Sequence, residues 1–565
     1  MTKKAITLIL ILIILLPVVI YFTAWDYYAI NIPKWDDHAL KAFIEEYAGA
    51  GNWKGKVLAL FKQHNEHRIS LTRLIAWIDF SAFGTLNYRH LMLAGNVLLL
   101  GVIPLWYIIL RKNKKPLSAL LPVPFIWLTL AFWENMYWGM ASIQNFGVVT
   151  LVLWTIYLCI NTNQFLFALS LVLAWVTVLT SGNGLFVLPI GALLLFLLQN
   201  RKRFALWIIN SGAAIFCYFN WYNRESVSNP ESKATILELG KGYMAFLGSF
   251  AESIPVADHF KACFLLGIVL FLVAISIASA TIFRILRNKY TVKFERITDL
   301  FCLGTVLFVL GTALIVVYSR AGFGLEGLMA SRYKIYSVLL LIVAYLYVVI
   351  PIRGSFLSPY ITAIVFLAVI FNVFSYHYHL VDAYNLRKML VTYQFNWTYT
   401  TKELKAPEDT TFASKIVERT PVIFDTWLPV IAITERQSFA GSSRGLTDLY
   451  DHTNFKKSVG QVKVENKTFA SQRLQDSGVY ILLRSKARYY VFPAYRTRNK
   501  SRKQLFLKQY YFAPGFYAEI PYSEMDKGIY DVGLIRQEGE QTSILFRDAK
   551  INVPATEKNK VKVNW

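Results

Sequence analysis

The sequence predicts an α-helical polytopic membrane protein with about eleven transmembrane helices, followed by an extracytoplasmic C-terminal mixed domain dominated by a β-sandwich. Of the 565 residues, 55% are hydrophobic and only 17% are charged, a balance typical of chains that lie largely in lipid. Apolar runs long enough to cross the hydrocarbon recur up to residue 376. Beyond that point apolar and polar residues alternate as they do in strands, which predicts two domains, 1–376 and 377–565.

The first apolar run, 5–24, follows Lys3 and Lys4 and is predicted to enter the membrane with its amino end in the cytoplasm. A cleaved secretory signal peptide is the alternative interpretation. We expect an anchor, because the run is long for a signal peptide and no A-x-A-like cleavage site follows it. The remaining predicted spans are 90–110, 117–133, 146–160, 165–180, 185–199, 205–222, 261–283, 298–318, 335–350 and 359–376.

The distribution of basic residues predicts the topology. With the first helix running outward, the basic connections 111–115, 201–203 and 284–296 all fall on the cytoplasmic side, as the positive-inside rule requires. The outward connections 134–145 and 181–184 contain no Lys or Arg. The odd number of spans then leaves the C-terminal domain outside.

The formal charge of +24 reflects 59 Lys and Arg against 35 Asp and Glu. Because the cations fall in cytoplasmic connections and in the C-terminal domain, they indicate membrane topology, and no nucleic acid partner is expected. From residue 381 onward, 29 Lys and Arg face 19 Asp and Glu, which suits anionic lipid headgroups, an anionic glycan or simple solubility. The four cysteines lie in or beside apolar segments and imply neither a disulfide nor a zinc site.

The first outward segment, 25–89, is predicted to hold two amphipathic helices in the membrane interface. Apolar residues recur at helical spacing directly after Asp37 and again from Trp53 onward. Gly49 and Gly51 separate the two helices.

The pair Asp36 and Asp37 is the leading candidate for reaction chemistry. An outward-facing enzyme has no access to cytoplasmic nucleotides, and sugar transfer from a polyprenyl phosphate fits that constraint. Such a reaction needs a carboxylate that takes a proton from the acceptor hydroxyl, and cations that hold the leaving phosphate. Either acid can fill the first role. The structural alternative is that both acids cap the following helix.

Four outward cations are candidates for binding the donor phosphate: Arg68, Arg320, Arg332 and Lys334. Arginine offers a planar fork suited to phosphate oxygens, and lysine offers a point charge. The last three cluster on the outward side, where short connections elsewhere avoid positive charge. Anchoring of these side chains in the headgroup region is the alternative interpretation.

His64, His67 and Arg68 stand at helical spacing and are expected to share one face of a helix. Glu66 is expected to pair with Arg73 in a structural role. His38, Asn183 and Tyr333 join these residues as candidates for substrate contact or support.

A divalent-metal site is a second interpretation of the acids and histidines, since both are ordinary metal ligands. The spacing of the histidines is not that of a zincin, and the preferred reaction requires no metal or other cofactor. The residues of this alternative site are Asp36, Asp37, His64 and His67.

Taken together, these features resemble the GT-C superfamily of membrane glycosyltransferases. The resemblance covers 1–376 and rests on the first helix, the outward loop that opens with Asp36 and Asp37, about eleven spans, and later basic outward loops. It implies that one of these acids is the catalytic base. It also implies a polyprenyl-phosphate-linked sugar as donor and an extracytoplasmic glycan or lipid-linked glycan as acceptor, with the lipid bilayer as surroundings.

The layout is similar to that of the bacterial serotype-converting glucosyltransferases and of the mannosyl- and aminoarabinose-transferring enzymes, which implies the bacterial cytoplasmic (inner) membrane. The motifs at 64–68 and 330–333 are similar to motifs of uncharacterised bacterial members. No Trp-Trp-Asp signature of oligosaccharyltransferases is present, which argues against transfer of a whole glycan to asparagine.

Other classes of protein remain open at this point. A transporter or flippase of lipid-linked glycans would carry ionisable groups near the bilayer midplane, and the predicted spans hold few of them. A polymerase or ligase of such glycans would use the outward arginines without the early acid pair. A membrane sensor built around the C-terminal domain would need neither acid.

Overall fold

The computed structural model describes residues 2–223, 233–287, 293–400, 443–474, 478–486, 488–538 and 541–555. Its α-helices, in chain order, are α1 Lys3–Tyr28, α2 His38–Gly49, α3 Trp53–Phe61, α4 Ser70–Phe83, α5 Tyr88–Leu100, α6 Val102–Lys112, α7 Pro122–Trp127, α8 Trp133–Met136, α9 Gly139–Ala141, α10 Gly147–Cys159, α11 Gln164–Val178, α12 Val187–Leu197, α13 Arg201–Phe219, α14 Ile236–Leu247, α15 His259–Leu286, α16 Lys293–Arg320, α17 Lys334–Val349, α18 Leu357–Thr400, α19 Ser443–Asp451 and α20 Arg502–Lys508. The strands are β1 Gln63–His64, β2 His67–Arg68, β3 Thr453–Ser458, β4 Gln461–Asn466, β5 Gly478–Arg484, β6 Tyr489–Pro493, β7 Phe516–Pro521, β8 Gly528–Glu538 and β9 Gln541–Val553.

Within the described residues, eight helical segments are long and apolar enough to cross a membrane. Large apolar side chains of α1, such as Leu8 and Leu12, lie exposed on its surface, as expected of a helix that faces lipid. The chain is therefore a polytopic helical membrane protein. The eight segments are Lys3–Tyr28, Tyr88–Lys112, Leu117–Met136, Gly139–Cys159, His259–Leu286, Glu295–Phe323, Ser331–Val349 and Gly354–Asn396.

Three of the predicted spans coincide with helices outside this set of eight. Helix α11 has 15 residues and would cover about 22 Å at 1.5 Å per residue, less than the hydrocarbon core of about 30 Å. Helix α12 is shorter still, with 11 residues, and α13 begins with three consecutive cations. The number of eleven spans stays a prediction.

Contacts along the chain divide it into two compact units. The first comprises the described residues of Met1–Ala29 and Ala42–His379, and the second those of Ile30–Lys41 and Leu380–Val563. The main division falls between His379 and Leu380, and the predicted domain boundary at residue 376 stays a prediction. The difference is the segment Ile30–Lys41, which the sequence assigned to the membrane domain and which the contacts group with the C-terminal part.

The second unit is rich in antiparallel strands, as predicted from the alternating pattern. One sheet has the order β3-β4-β7 and the other β6-β5-β8-β9. In β4, buried Val462 and Val464 alternate with Lys463 and Glu465, so one face of this strand lies in the core. Strand β5 is buried along almost its whole length, as expected of a central strand covered on both faces.

The C-terminal part of α18 seals the outer edge of β6 with side-chain amides. Asn396 donates to the carbonyl of Val491 and accepts from its N–H, both at 2.8 Å. Asn385 binds the backbone of Arg496, three residues beyond the end of β6, in the same way, at 2.9 and 3.1 Å. Each carboxamide thus supplies both hydrogen bonds that a neighbouring strand would provide.

In the first unit, helices α14 and α15 pack with their backbones in contact. A Cβ atom on Gly267 would lie 1.7 Å from the carbonyl oxygen of Met244, and one on Gly248 would lie 2.0 Å from the carbonyl oxygen of Cys263. Such close approach is possible only without side chains, and small residues commonly provide it between membrane helices.

Replacing Gly267 by alanine is therefore expected to destabilise the first unit. Because backbone atoms would have to separate, we expect a loss of about 1–3 kcal/mol or more, visible as a lower melting temperature of the detergent-solubilised protein. Gly212→Ala is the matched control, since no heavy atom lies within 4 Å of a Cβ there. Higher helix propensity should make this control neutral or slightly stabilising. Equal melting temperatures for the two variants would contradict the packing argument.

Candidate functional site

The motif at 63–68 forms a short hairpin, so the expected helical face of His64, His67 and Arg68 is wrong. Strands β1 and β2 pair antiparallel, with His64 opposite His67. Asn65 has a φ of 47°, a left-handed conformation that Asn tolerates and that closes a tight turn. Residues three apart therefore face each other across a hairpin rather than along a helix.

Arg68 anchors this hairpin through backbone carbonyls. Its Nε donates to the carbonyl of Tyr218 at 2.6 Å, and its other nitrogens donate to the carbonyls of Phe61 and Asn220. The side chain is almost fully buried, and burial lowers the pKa of the guanidinium. In this arrangement Arg68 holds chain segments together.

Arg73 also binds carbonyls, and the expected pair of Glu66 with Arg73 is wrong. Arg73 donates to the carbonyls of Leu60 and Lys62, and burial lowers the pKa of its guanidinium to about 10. Glu66 instead forms an ion pair with Arg320, from a helix distant in sequence. The spacing of Glu66 and Arg73 favours a pair only if the segment is helical, and the hairpin places Glu66 beside Arg320 instead.

Glu66 is the centre of a polar cluster in the first unit. Its carboxylate pairs with Arg320 and lies 3.6 Å from Nε2 of His67. Its carbonyl accepts hydrogen bonds from the hydroxyls of Tyr218 and Tyr222, at 3.3 and 3.2 Å. The backbone and the carboxylate of Glu66 are thus both fixed, which orients the ion pair.

The turn 181–184 completes this cluster. The N–H of Gly182 donates to Nδ1 of His67 at 3.2 Å, which assigns the proton of the neutral ring to Nε2, the atom that faces Glu66. A Cβ on Gly182 would lie 2.6 Å from the same Nδ1. Asn183 donates to the hydroxyl of Tyr336 at 2.7 Å. The glycine is needed for the close approach to His67.

Arg332 is held by a second glutamate, at the start of a membrane helix. Its guanidinium lies 3.5 Å from Glu134, and its carbonyl accepts from the amide of Asn135 at 2.9 Å. The guanidinium also lies over the ring of Tyr333, 5.0 Å from the centroid. Tyr333 therefore supports Arg332 through its aromatic face.

Lys334 forms a third pair, with Glu252. The lysine side chain is only 3% exposed. Burial raises the pKa of Glu252, but the charge and hydrogen bond of Lys334 outweigh it, so the pKa lies below its usual value. Next to Glu252 in sequence, Ser253 contacts Nε2 of His379 at 3.2 Å.

Three of the four cations predicted to bind phosphate are thus each held by a glutamate. Glu134 and Glu252 were not among the sequence candidates, because each lies far from its partner along the chain. For Glu134 the sequence did hold a signal, because it is the one acid of the predicted outward connection 134–145. The three pairs are Glu66 with Arg320, Glu134 with Arg332, and Glu252 with Lys334.

The acid pair and His38 belong to the second unit, whereas the candidate cations belong to the first. Trp35–Asp37 forms a 3₁₀ turn directly before α2. Asp37 is buried, and its Oδ2 accepts the N–H of Lys34 at 3.0 Å. Asp36 is only partly buried. Asp37 thus stabilises the turn, in line with the capping alternative, and Asp36 keeps part of its surface accessible.

His38 is expected to make the protein less stable in acid. Burial, and then the charge of Lys41, lower the pKa of His38 from 6.5 to about 2. Below pH 6.5 the unfolded chain therefore binds a proton that the folded protein does not, and stability falls by about 1.4 kcal/mol per pH unit. Above pH 6.5 the residue is neutral in both states and has no such effect.

The measurement is the melting temperature of the purified protein at about pH 7.5 and about pH 5, with His38→Gln as the comparison. The variant should lose less stability than the wild type on acidification. If the wild type and His38→Gln lose the same melting temperature between the two pH values, His38 does not cause the loss of stability in acid.

No group of three or more His, Cys, Asp or Glu side chains is arranged to hold a metal ion in the part of the chain that the structure describes. Of the two histidines of the alternative metal site, His67 accepts the N–H of Gly182 through Nδ1. A comparison with protein-family models, curated proteins and solved structures found no match.

Proposed function

We propose that this protein is a membrane glycosyltransferase of the GT-C type, which moves a sugar from a polyprenyl phosphate to an extracytoplasmic glycan or lipid-linked glycan. The proposal includes about eleven spans in a bacterial cytoplasmic membrane, the amino end inside and the C-terminal domain outside. The membrane character of the chain and the acids next to its first long helix agree with it.

The contrast between Asp36 and Asp37 carries the proposal. A general base must reach a substrate proton, and it must be ionised at neutral pH. Asp37 is buried and already accepts a backbone N–H, which suits a structural role. Asp36 is partly accessible on a turn that Asp37 holds in place. We therefore assign the base to Asp36.

The second support for the proposal is the partial exposure of two arginine side chains. Arg320 and Arg332 keep 24% and 33% of their side chains exposed, while Lys334 keeps 3%. A partly exposed guanidinium can exchange a carboxylate for a phosphate, because either anion offers two oxygens to the planar fork of the arginine. Arg320 and Arg332 are thus the proposed phosphate ligands, and Lys334 and Arg68 the positioning residues.

The reaction follows from these roles. The carboxylate of Asp36 takes the proton of an acceptor hydroxyl, whose oxygen attacks the anomeric carbon of the sugar. The bond between that carbon and the phosphate oxygen breaks, and polyprenyl phosphate leaves with the bonding electrons. The guanidinium groups of Arg320 and Arg332 would neutralise the charge that develops on the phosphate.

Purified protein in liposomes, supplied with a panel of radiolabelled polyprenyl-phosphate hexoses and an envelope glycan, tests the proposal. We expect free polyprenyl phosphate and labelled glycan to appear together for at least one donor. Movement of intact donor across the bilayer would instead indicate a flippase. Growth of a lipid-linked polymer would indicate a polymerase, and either result would overturn the assignment.

A further inference from the structure

The second unit carries a surface segment, 498–508, that has no role in the proposed sugar-transfer reaction. The segment, called the basic loop below, contains five cations and no acid. Within it, α20 exposes two neighbouring large apolar side chains, Phe506 at 78% and Leu507 at 73%. Exposed pairs of this size flanked by cations are unusual on a soluble surface and typical of peripheral membrane contacts.

The basic loop is held rigidly at its base. Arg498 pairs with Phe512 in an antiparallel bridge, and the N–H of Asn499 donates to the carbonyl of Tyr511 at 2.8 Å. These backbone contacts join the two ends of the loop and fix the position of its tip.

The tip is also ordered from within. The side chain of Asn499 donates to Gln504 at 2.8 Å and to the carbonyl of Tyr510 at 3.2 Å, and Ser501 caps α20 by accepting the N–H of Gln504. Helix α20 ends at Lys508, and the next residue, Gln509, closes it with a left-handed φ of 57°. The exposure of Phe506 and Leu507 is therefore built in, because no rearrangement of the loop is needed to present them.

The cations of the basic loop point to the chemistry of its partner. Lys500, Arg502, Lys503 and Lys508 are all exposed, and no ion pair engages them among the described residues. Four exposed cations around two apolar side chains match an anionic bilayer surface, in which phosphates lie beside hydrocarbon. A soluble glycan would satisfy the cations but would leave Phe506 and Leu507 in water.

We infer that the basic loop is a second membrane contact of this protein, in which Phe506 and Leu507 enter the interface of an anionic bilayer while the surrounding cations bind lipid phosphates. The contact is separate from the long apolar helices and does not depend on the sugar-transfer reaction. It tethers the second unit to the surface of the membrane that the chain already crosses.

An environment-sensitive label at position 506 tests this contact in the full-length protein. Cys217 is the one exposed cysteine, and the other three are buried, so Phe506→Cys in a Cys217→Ser background takes a nitrobenzoxadiazole label at one site. Val459, which is fully exposed in a turn between strands, gives the control position as Val459→Cys. Both proteins are placed in nanodiscs of phosphatidylglycerol or of phosphatidylcholine.

In phosphatidylglycerol, we expect blue-shifted emission at position 506, quenching by spin-labelled lipid and protection from iodide, with none of these at position 459. Each cation at an anionic surface contributes a factor of roughly five to binding, so Lys503→Gln with Lys508→Gln should lower the docked-to-free ratio about 25-fold. Emission at 506 that matches the control, or equal protection in both lipids, would overturn the inference. Protection that appears only on adding soluble dextran sulfate would indicate a glycan site and would also overturn it.

Hydrogen exchange on the unlabelled wild-type protein gives an independent readout that does not depend on labelling. The backbone of 502–510 should exchange more slowly in phosphatidylglycerol than in phosphatidylcholine nanodiscs, while the β3–β4 turn should be unaffected. Identical exchange in the two lipids would contradict docking even if the labelled variant misfolds.

Discussion

Changing Asp36 to Asn is expected to lower the rate of sugar transfer by about 10²- to 10⁴-fold, the usual contribution of a general base. The substitution keeps the shape of the side chain and removes the group that takes the proton. Asp37→Asn is the matched control, because an amide oxygen can still accept the N–H of Lys34 and hold the turn. We expect this control to transfer sugar at a rate within a few-fold of the wild type.

The measurement is initial rate in proteoliposomes at equal amounts of inserted protein, with circular dichroism as the check on folding. A large loss in Asp37→Asn and none in Asp36→Asn would reverse the assignment of the base. If both variants transfer sugar normally, neither acid is a base, and the acids only cap the turn before α2.

Changing Arg320 to Gln is expected to lower kcat/KM for the lipid-linked donor by about 10²- to 10³-fold, as for loss of one preorganised charge at a transition state. The reason is that Arg320 would no longer neutralise the leaving phosphate. Glu66→Gln should act in a different way. It frees Arg320 from its carboxylate, so we expect donor binding to be kept or tightened while the hairpin becomes less stable.

Exchanging the charges of Glu66 and Arg320 shows whether Arg320 binds phosphate or only forms a structural ion pair. Glu66→Arg combined with Arg320→Glu restores an ion pair but puts the cation on the hairpin. If Arg320 binds phosphate, the double variant should fold and remain inactive. Recovery of activity would mean that the pair is only structural. Arg353→Gln, which removes a highly exposed pair with Glu295, should leave kcat/KM unchanged and serves as the control.

The sequence allowed the membrane helices and the strand-rich end to be predicted, since both depend on local patterns of apolar residues. Apolar runs indicate where a helix can cross lipid, and alternation indicates strands. The hairpin at 63–68 was missed for the opposite reason. The spacing of His64 and His67 satisfies both a helix and a two-residue turn, and only the left-handed Asn65 distinguishes the two.

The partners of the candidate cations could not be predicted at all. Glu66 and Arg320 are 254 positions apart, and Glu134 and Arg332 are 198 apart, so no local pattern connects them. The grouping of Ile30–Lys41 with the C-terminal part is a long-range property of the same kind. Residue types could indicate which groups carry charge, whereas the pairing of those charges depends on the packing of distant helices.

The carboxamide of Asn396 on the outer side of β6 also bears on how densely this protein can be packed in a membrane. A bare border strand would offer its amides to the matching border of the next molecule, and two-dimensional confinement would make such encounters frequent. With Asn396 already bound to the N–H and carbonyl of Val491, the strand does not offer these two groups to a neighbouring copy. Because Asn396 and Val491 are both buried, we expect Asn396→Leu to leave two backbone groups of β6 without these partners, to destabilise the second unit and so to promote self-association at high density.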